Sequence, residues 1–204
     1  MAGRTFVRRL IVLAAVVSVA ALAGVVGGQT AHAGLLGCGG QATVQPFAPW
    51  LDPMSYVLTT GGSLESTTGW SLTGGAKLVS DNEPWRVNAP TDSHSLSLPS
   101  GSSATTPATC VNLLDPDVRF FAVNSGSALS TLQVDAITTV LGLKVTTPVG
   151  VLLAGGSWQP TLPLPFLDGL LSLTQGTVQF RFTPLGAGGG WQIDDIYVDP
   201  FKSR

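Results

Sequence analysis

Period-two alternation, broken at short intervals by turn residues, constrains this chain more than any other feature. Val178-Gln179-Phe180-Arg181-Phe182 puts Val and both Phe on one side of an extended backbone and Gln and Arg on the other. Leu132 to Ala136 and Ser95 to Leu98 repeat the pattern, and strands are also expected at Ala76 to Val79, Val118 to Val123, Val140 to Thr146 and Trp191 to Val198. Thr73-Gly74-Gly75, Pro99-Ser100-Gly101, Ser125-Gly126 and Leu185 to Gly190 separate them. Short strands at such spacing predict an all-β fold, an antiparallel β-sandwich or barrel. One helical turn is expected, over Phe166 to Leu173.

The N-terminus differs from the rest. Arg4, Arg8 and Arg9 precede the apolar run Leu10 to Val26, and Ala31-His32-Ala33 offers the small residues of a cleavage site. Residues 1–33 are therefore expected to form a cleaved signal helix. The alternatives are a membrane anchor and a lipoprotein modified at Cys38. The run is only about 17 residues long, the lower edge of a bilayer span. Polar residues also separate it from Leu35-Leu36-Gly37-Cys38. Export implies a secreted, extracellular protein with no membrane contact once the signal is removed.

Residues 34–62 show no alternation and contain Pro46, Pro49 and Pro53, which suggests an extended N-terminal arm whose Phe47, Trp50 and Tyr56 pack on the sandwich of residues 63–200. Cys38 and Cys110 remain after cleavage, and an oxidising compartment favours a disulfide between them. A loop that long is stabilised by roughly 4 kcal/mol on closure.

Of ten basic and twelve acidic residues, three Arg leave with the signal, so the exported chain carries about −5. With no basic run, nucleic-acid binding by phosphate neutralisation is excluded. Catalysis finds no support either. Asp92-Ser93-His94-Ser95 groups the residue types of a hydrolase triad, but triad members meet from separate elements. No Gly-x-Ser-x-Gly elbow occurs, and Asp115-Pro116-Asp117 suggests a solvated turn. The chain is expected not to be an enzyme.

Trp191-Gln192-Ile193-Asp194-Asp195-Ile196-Tyr197-Val198 alternates like a strand yet holds adjacent carboxylates. On regular alternation, one of them shares the side that Ile193 and Tyr197 occupy, where a carboxylate needs hydrogen bonds, a basic partner or a cation. For binding, Trp85-Arg86 follows Asn82-Glu83-Pro84, and Trp158-Gln159 follows Gly155-Gly156. Indoles beside turns can offer their faces to C–H-rich sugar surfaces, with Arg86 and Gln159 as planar polar groups. The alternative is ordinary packing of Trp85 and Trp158 against the core.

Gly62-Ser63-Leu64-Glu65, Gly69-Trp70 and Gly74-Gly75-Ala76, with Ile193-Asp194-Asp195-Ile196 at the other end, resemble the opening and closing of the galactose-binding-like jelly rolls, a group that includes carbohydrate-binding modules. The resemblance spans roughly Gly62 to Pro200. It implies adjacent first and last strands, a structural calcium held by Glu65 and by Asp194 or Asp195, and a carbohydrate or cell-envelope ligand. The alternative is a solvated Asp194 and an Asp195 bonded to backbone or paired with Arg119 or Arg181. Asn82-Glu83-Pro84 and Trp191 to Pro200 are also similar to secreted proteins of actinobacterial type, which brings no function with it. The competing functional reading is an extracellular structural or adhesive protein using the apolar stretch Val149 to Leu173. Oligomeric state is not legible.

Overall fold

The computed structural model describes residues 41–111, 117–140, 142–166 and 176–199. The signal region, Cys38, Asp115 and the expected helical turn after Phe166 lie outside the described residues. The only helical element within them is a single 3-10 turn, Ala48–Trp50. The rest is strand and loop.

One antiparallel sheet has the order β10 (Gln159–Pro160), β7 (Asp117–Asn124), β13 (Gly190–Val198), β4 (Ser95–Pro99), β3 (Lys77–Val79), with β1 (Val57–Leu58) on β13 and β11 (Leu164–Pro165) on β7. The other has the order β2 (Ser71–Thr73), β5 (Ser103–Thr105), β12 (Gly176–Leu185), β8 (Thr131–Val140), β9 (Leu143–Leu152), with β6 (Thr109–Val111) on β12. Each of the four turns legible in the sequence carries the chain from one sheet to the other. The two sheets close over Leu96, Leu98, Phe120, Val134, Phe180, Phe182 and Trp191, all fully buried. The result is an antiparallel β-sandwich.

Strand β7 shows why its sequence, Val118-Arg119-Phe120-Phe121-Ala122-Val123, runs apolar instead of alternating. Val118, Phe120 and Ala122 face the inter-sheet core. Phe121 faces outward, yet it is buried, because Phe47, Tyr56 and Tyr197 cover it. Phe47 stacks on Phe121 with centroids 5.4 Å apart and meets Tyr56 edge-on at 5.0 Å. A sheet covered on both faces needs apolar residues on both.

Arg119 locks this outer layer in place. Its guanidinium is ion-paired to Asp52, lies 4.2 Å over the Phe47 ring and donates through Nε to the Thr161 carbonyl at 2.6 Å. Tyr56 donates its hydroxyl to the same Asp52 carboxylate at 2.6 Å. This pair excludes Arg119 as the partner of Asp195, and Arg181 is likewise engaged, with Asp135.

The apolar stretch from Val149 divides between core and surface. Val149, Leu152 and Leu164 pack against the core and Phe166 is buried, whereas Val151, Leu153 and Leu162 are exposed. Asp117 lies within β7, not in a solvated turn. Cys110 sits on β6, which pairs with β12.

Arg119→Ala should leave the partly buried Asp52 without its counter-charge and remove the cap over Phe47. A loss of about 3–5 kcal/mol in denaturant unfolding is expected, with new proteolytic cleavage confined to residues 41–62.

Candidate functional site

The site begins with a defect in β13. Asp194 is opposite Phe121 and Tyr197 is opposite Arg119, so one extra residue of β13 has no partner on β7. Asp195 takes a left-handed φ of +47°, a conformation Asp tolerates better than most residues. The bulge reverses the side-chain parity. Trp191, Ile193, Ile196 and Val198 all enter the inter-sheet core, while Tyr197 turns to the outer cluster. The expectation that Ile193 and Tyr197 share a face therefore fails, since it assumed unbroken alternation.

Both carboxylates are buried, which also corrects the solvated alternative for Asp194. Asp194 accepts the backbone N–H of Glu83 at 3.2 Å and that of Asp195 at 2.9 Å, one on each oxygen. Asp195 Oδ2 accepts the N–H of Asn88 at 3.2 Å, while Asp195 Oδ1 is buried with no hydrogen-bond partner. Glu83, also fully buried, accepts the Trp85 N–H at 2.6 Å and the Val87 N–H at 2.5 Å. Asp92 takes the Asn88 side-chain amide at 2.8 Å. Among the described residues none of Glu83, Asp194 and Asp195 has an ion-pair partner.

Burial and then the Asp195 charge push the Asp194 carboxyl far above the usual carboxylate range. Burial and then the charges of Glu83 and Asp92 do the same to Asp195, with Glu65 contributing. Burial also raises Glu83. The Tyr197 hydroxyl, buried and unpartnered, is pushed up by burial and then by the Asp195 charge.

Glu65 is held differently. Its Oε1 accepts the N–H groups of Ser93 and His94 at 2.7 and 2.8 Å, and His94 Nδ1 lies 2.9 Å from Oε2. Burial acts upward on this carboxyl, but the His94 and Ser93 hydrogen bonds outweigh it and hold it below the usual range. Ser93 Oγ also reaches His94 Nδ1, at 3.0 Å. A catalytic triad needs its acid and its nucleophile on opposite imidazole nitrogens. Here both occupy one nitrogen, so the cluster orders a turn before β4.

The start and end of the sandwich do lie together. Gly62 accepts the Ile196 N–H at 3.0 Å, and the Ile196 carbonyl takes the Thr59 N–H at 2.9 Å. A Cβ at Gly62 would stand 2.5 Å from that carbonyl, so only glycine fits. Among the described residues no three His, Cys, Asp or Glu side chains form a set that could hold a metal ion.

Above the acids sits the Trp85 loop. Trp85 is 45% exposed, meets Trp50 at 84° with centroids 4.8 Å apart, and leans on Phe121 at 5.6 Å. Pro49, Trp50, Trp85 and Val87 line a groove of about 320 Å³, at the lower end of the roughly 300–1,000 Å³ of small-molecule sites. Arg86 has a φ of +50° and is exposed, with Nη1 donating to the Pro90 carbonyl at 3.1 Å. Trp158 packs half-buried against the outer cluster and does not line the groove, while Gln159 on β10 is exposed. Trp50 and Glu83 escaped the sequence reading of the site. Trp50 belongs to a distant arm, and the only signal for Glu83 was its place between Asn82 and Pro84.

A second groove, of about 380 Å³, lies on the other sheet, lined by Gln133, Asp135, Arg181, Thr183 and residues 101–103. Arg181 holds Asp135 through Nε and Nη2 at 3.1 and 2.8 Å, and Gln133 donates to the same carboxylate at 2.7 Å.

No protein-family model matches the chain, and no curated protein does. Solved structures match in fold. The CBM22-1–GH10 modules of an endo-1,4-β-D-xylanase from Clostridium thermocellum, complexed with xylohexaose, superpose with a TM-score of 0.51 at 10% identity, over 71% of this chain and 28% of that one. The CBM22-1 xylan-binding domain of a Paenibacillus barcinonensis protein gives 0.48 at 16% identity, over 68% and 90%. A family 11 carbohydrate-binding module of a Clostridium thermocellum cellulosomal cellulase gives 0.43 at 12% identity, over 72% and 95%. What the chain shares with them is the β-sandwich fold.

The buried aspartates also set a pH dependence. A carboxyl whose native pKa is raised binds a proton more tightly when folded, so its contribution is complete below the ordinary value near 4 and is lost as pH rises toward the native value. In the presence of a chelator, the melting midpoint should rise by several degrees as pH falls from about 8 to about 5. A midpoint that falls across that range would contradict the burial described.

Proposed function

We propose that the exported protein is a non-catalytic module that binds carbohydrate at the corner formed by Trp50 and Trp85. One observation carries this reading: a large indole left half-exposed, braced by two other aromatic rings and edging a groove. Sugar C–H groups are attracted to the electron-rich face of an aromatic ring, and a rigidly held ring loses little freedom on binding. Arg86 projects beside Trp85 and would serve hydroxyl groups, with Gln159 as a more distant polar contact. Trp158 would support the outer cluster without touching ligand.

Export, cleavage before Gly34 and a Cys38–Cys110 disulfide belong to the same proposal, supported by the N-terminal sequence. So does a structural calcium. The fit rests on Asp195, whose Oδ1 is buried without a partner in a cluster lacking basic residues. A hard cation accepts such carboxylates together with backbone carbonyls. Asp195 Oδ1 would be its carboxylate ligand, with backbone carbonyls completing the shell, since Glu65 and Asp194 already use both oxygens in hydrogen bonds.

Affinity electrophoresis of the mature protein against soluble xylan, mixed-linkage β-glucan and galactan tests the binding. Retardation by at least one polysaccharide is expected, and Trp85→Ala should weaken it at least about tenfold, or 1.4 kcal/mol. Arg181→Ala, assayed alongside, separates this site from the groove on the other sheet. Binding lost in Arg181→Ala and kept in Trp85→Ala would relocate the site. For calcium, adding about a hundred times its Kd at pH 7 should raise stability by about 2.7 kcal/mol relative to chelator. No shift would remove the cation from the proposal.

A further inference from the structure

The loop bearing Trp85 is suspended from β13, and the suspension is built almost entirely of backbone N–H bonds to buried carboxyl groups. Its entry is fixed by the Glu83 N–H on Asp194, and its exit by the Asn88 N–H on Asp195. Between these points Glu83 folds its own carboxylate under the loop and takes the N–H groups of Trp85 and Val87. The Asn88 side chain is tied down by Asp92. Four backbone N–H groups within six residues thus point at three acids, each wholly or almost wholly buried. Hydrogen bonds strengthen away from water, and a buried group left without its bond is costly. The loop needs them: Arg86 is held at a positive φ, and Trp85 stands far from the inter-sheet core.

We infer that Glu83, Asp194 and Asp195 are positioning residues for the ligand groove, fixing the Trp85 indole against Trp50 through the backbone of residues 83–88. The inference rests on the Trp85 site proposed above and adds residues that touch no ligand. It also separates two roles of Asp195. As a positioning residue, Asp195 needs only the one oxygen that accepts from Asn88. As a calcium ligand, it needs its charge. Asparagine keeps the first and loses the second, and it tolerates the left-handed φ at this position.

The test combines amide hydrogen exchange, read residue by residue, with xylohexaose binding measured by titration calorimetry, on the mature protein. Glu83→Gln should speed exchange at Trp85 and Val87 at least tenfold, because a glutamine amide presents one acceptor where two are used. Asp195→Ala should do the same at Asn88. Asp195→Asn should keep Asn88 protected, even if calcium stabilisation is lost. Exchange in core strands β7 and β12 should stay within about twofold in all three variants, which separates loop release from unfolding. Xylohexaose affinity should fall about tenfold in Glu83→Gln and Asp195→Ala and recover in Asp195→Asn. If wild type does not bind xylohexaose, the Trp85 site fails for that ligand and the exchange data still decide the suspension. Unchanged exchange in Glu83→Gln overturns the inference, as does released exchange with unchanged affinity.

Discussion

The one-residue bulge at Asp195 is the constraint from which the rest of the architecture follows. β13 is the strand both other long elements of its sheet depend on, pairing with β7 along one side and with β4 and then β1 along the other. Without the extra residue, Ile196 and Val198 would leave the inter-sheet core and Tyr197 would enter it, since a slip of one position exchanges the faces. With it, the first half of β13 contributes Trp191 and Ile193 to the core and the second half contributes Ile196 and Val198. The bulge falls where β4 has ended and β1 has not begun. There the backbone at Thr59 and Gly62 completes the hydrogen bonding of Ile196.

Burying two neighbouring carboxylates at such a point is costly unless their lone pairs are used. The chain meets that cost with peptide N–H groups, a neutral solution in which no cation side chain takes part. Both positively charged side chains that the sequence offered are committed elsewhere, Arg119 to the arm and Arg181 to the polar groove. The consequence is directional. Every N–H accepted at the bulge except that of Asp195 itself comes from the Trp85 loop, so the same acids that mark a strand irregularity also shape a surface.

The sandwich was legible because its strands alternate and its turns are rich in glycine, and both signals are local. β8, β12 and β13 were found that way. β2, β5 and β6 were missed, each only three residues long and too short to show alternation. Trp85 was found from its flanking turn residues, but its partner Trp50 was read only as part of an arm, because a contact between residues 50 and 85 leaves no periodic trace. The paired aspartates announced an irregularity without revealing its form. Alternation was extended through them, which placed Ile193 and Tyr197 on one face. A bulge is set by how a strand meets its neighbours, and no residue within Ile193-Asp194-Asp195-Ile196 specifies that alone.

The hydrogen-bond inventory distinguishes the two aspartates chemically. Asp194 spends both oxygens on backbone N–H groups, whereas Asp195 retains one oxygen without a partner. The oxygen left open to a further partner is therefore Asp195 Oδ1. That oxygen is the one not engaged by the loop. A partner at that oxygen would leave the bonds from Glu83 and Asn88 intact. The Trp85 loop and that open oxygen thus draw on different oxygens of the paired acids. If both acids were ionised, their adjacent charges would repel, and the N–H groups of Glu83, Asn88 and Asp195 would hold them in place.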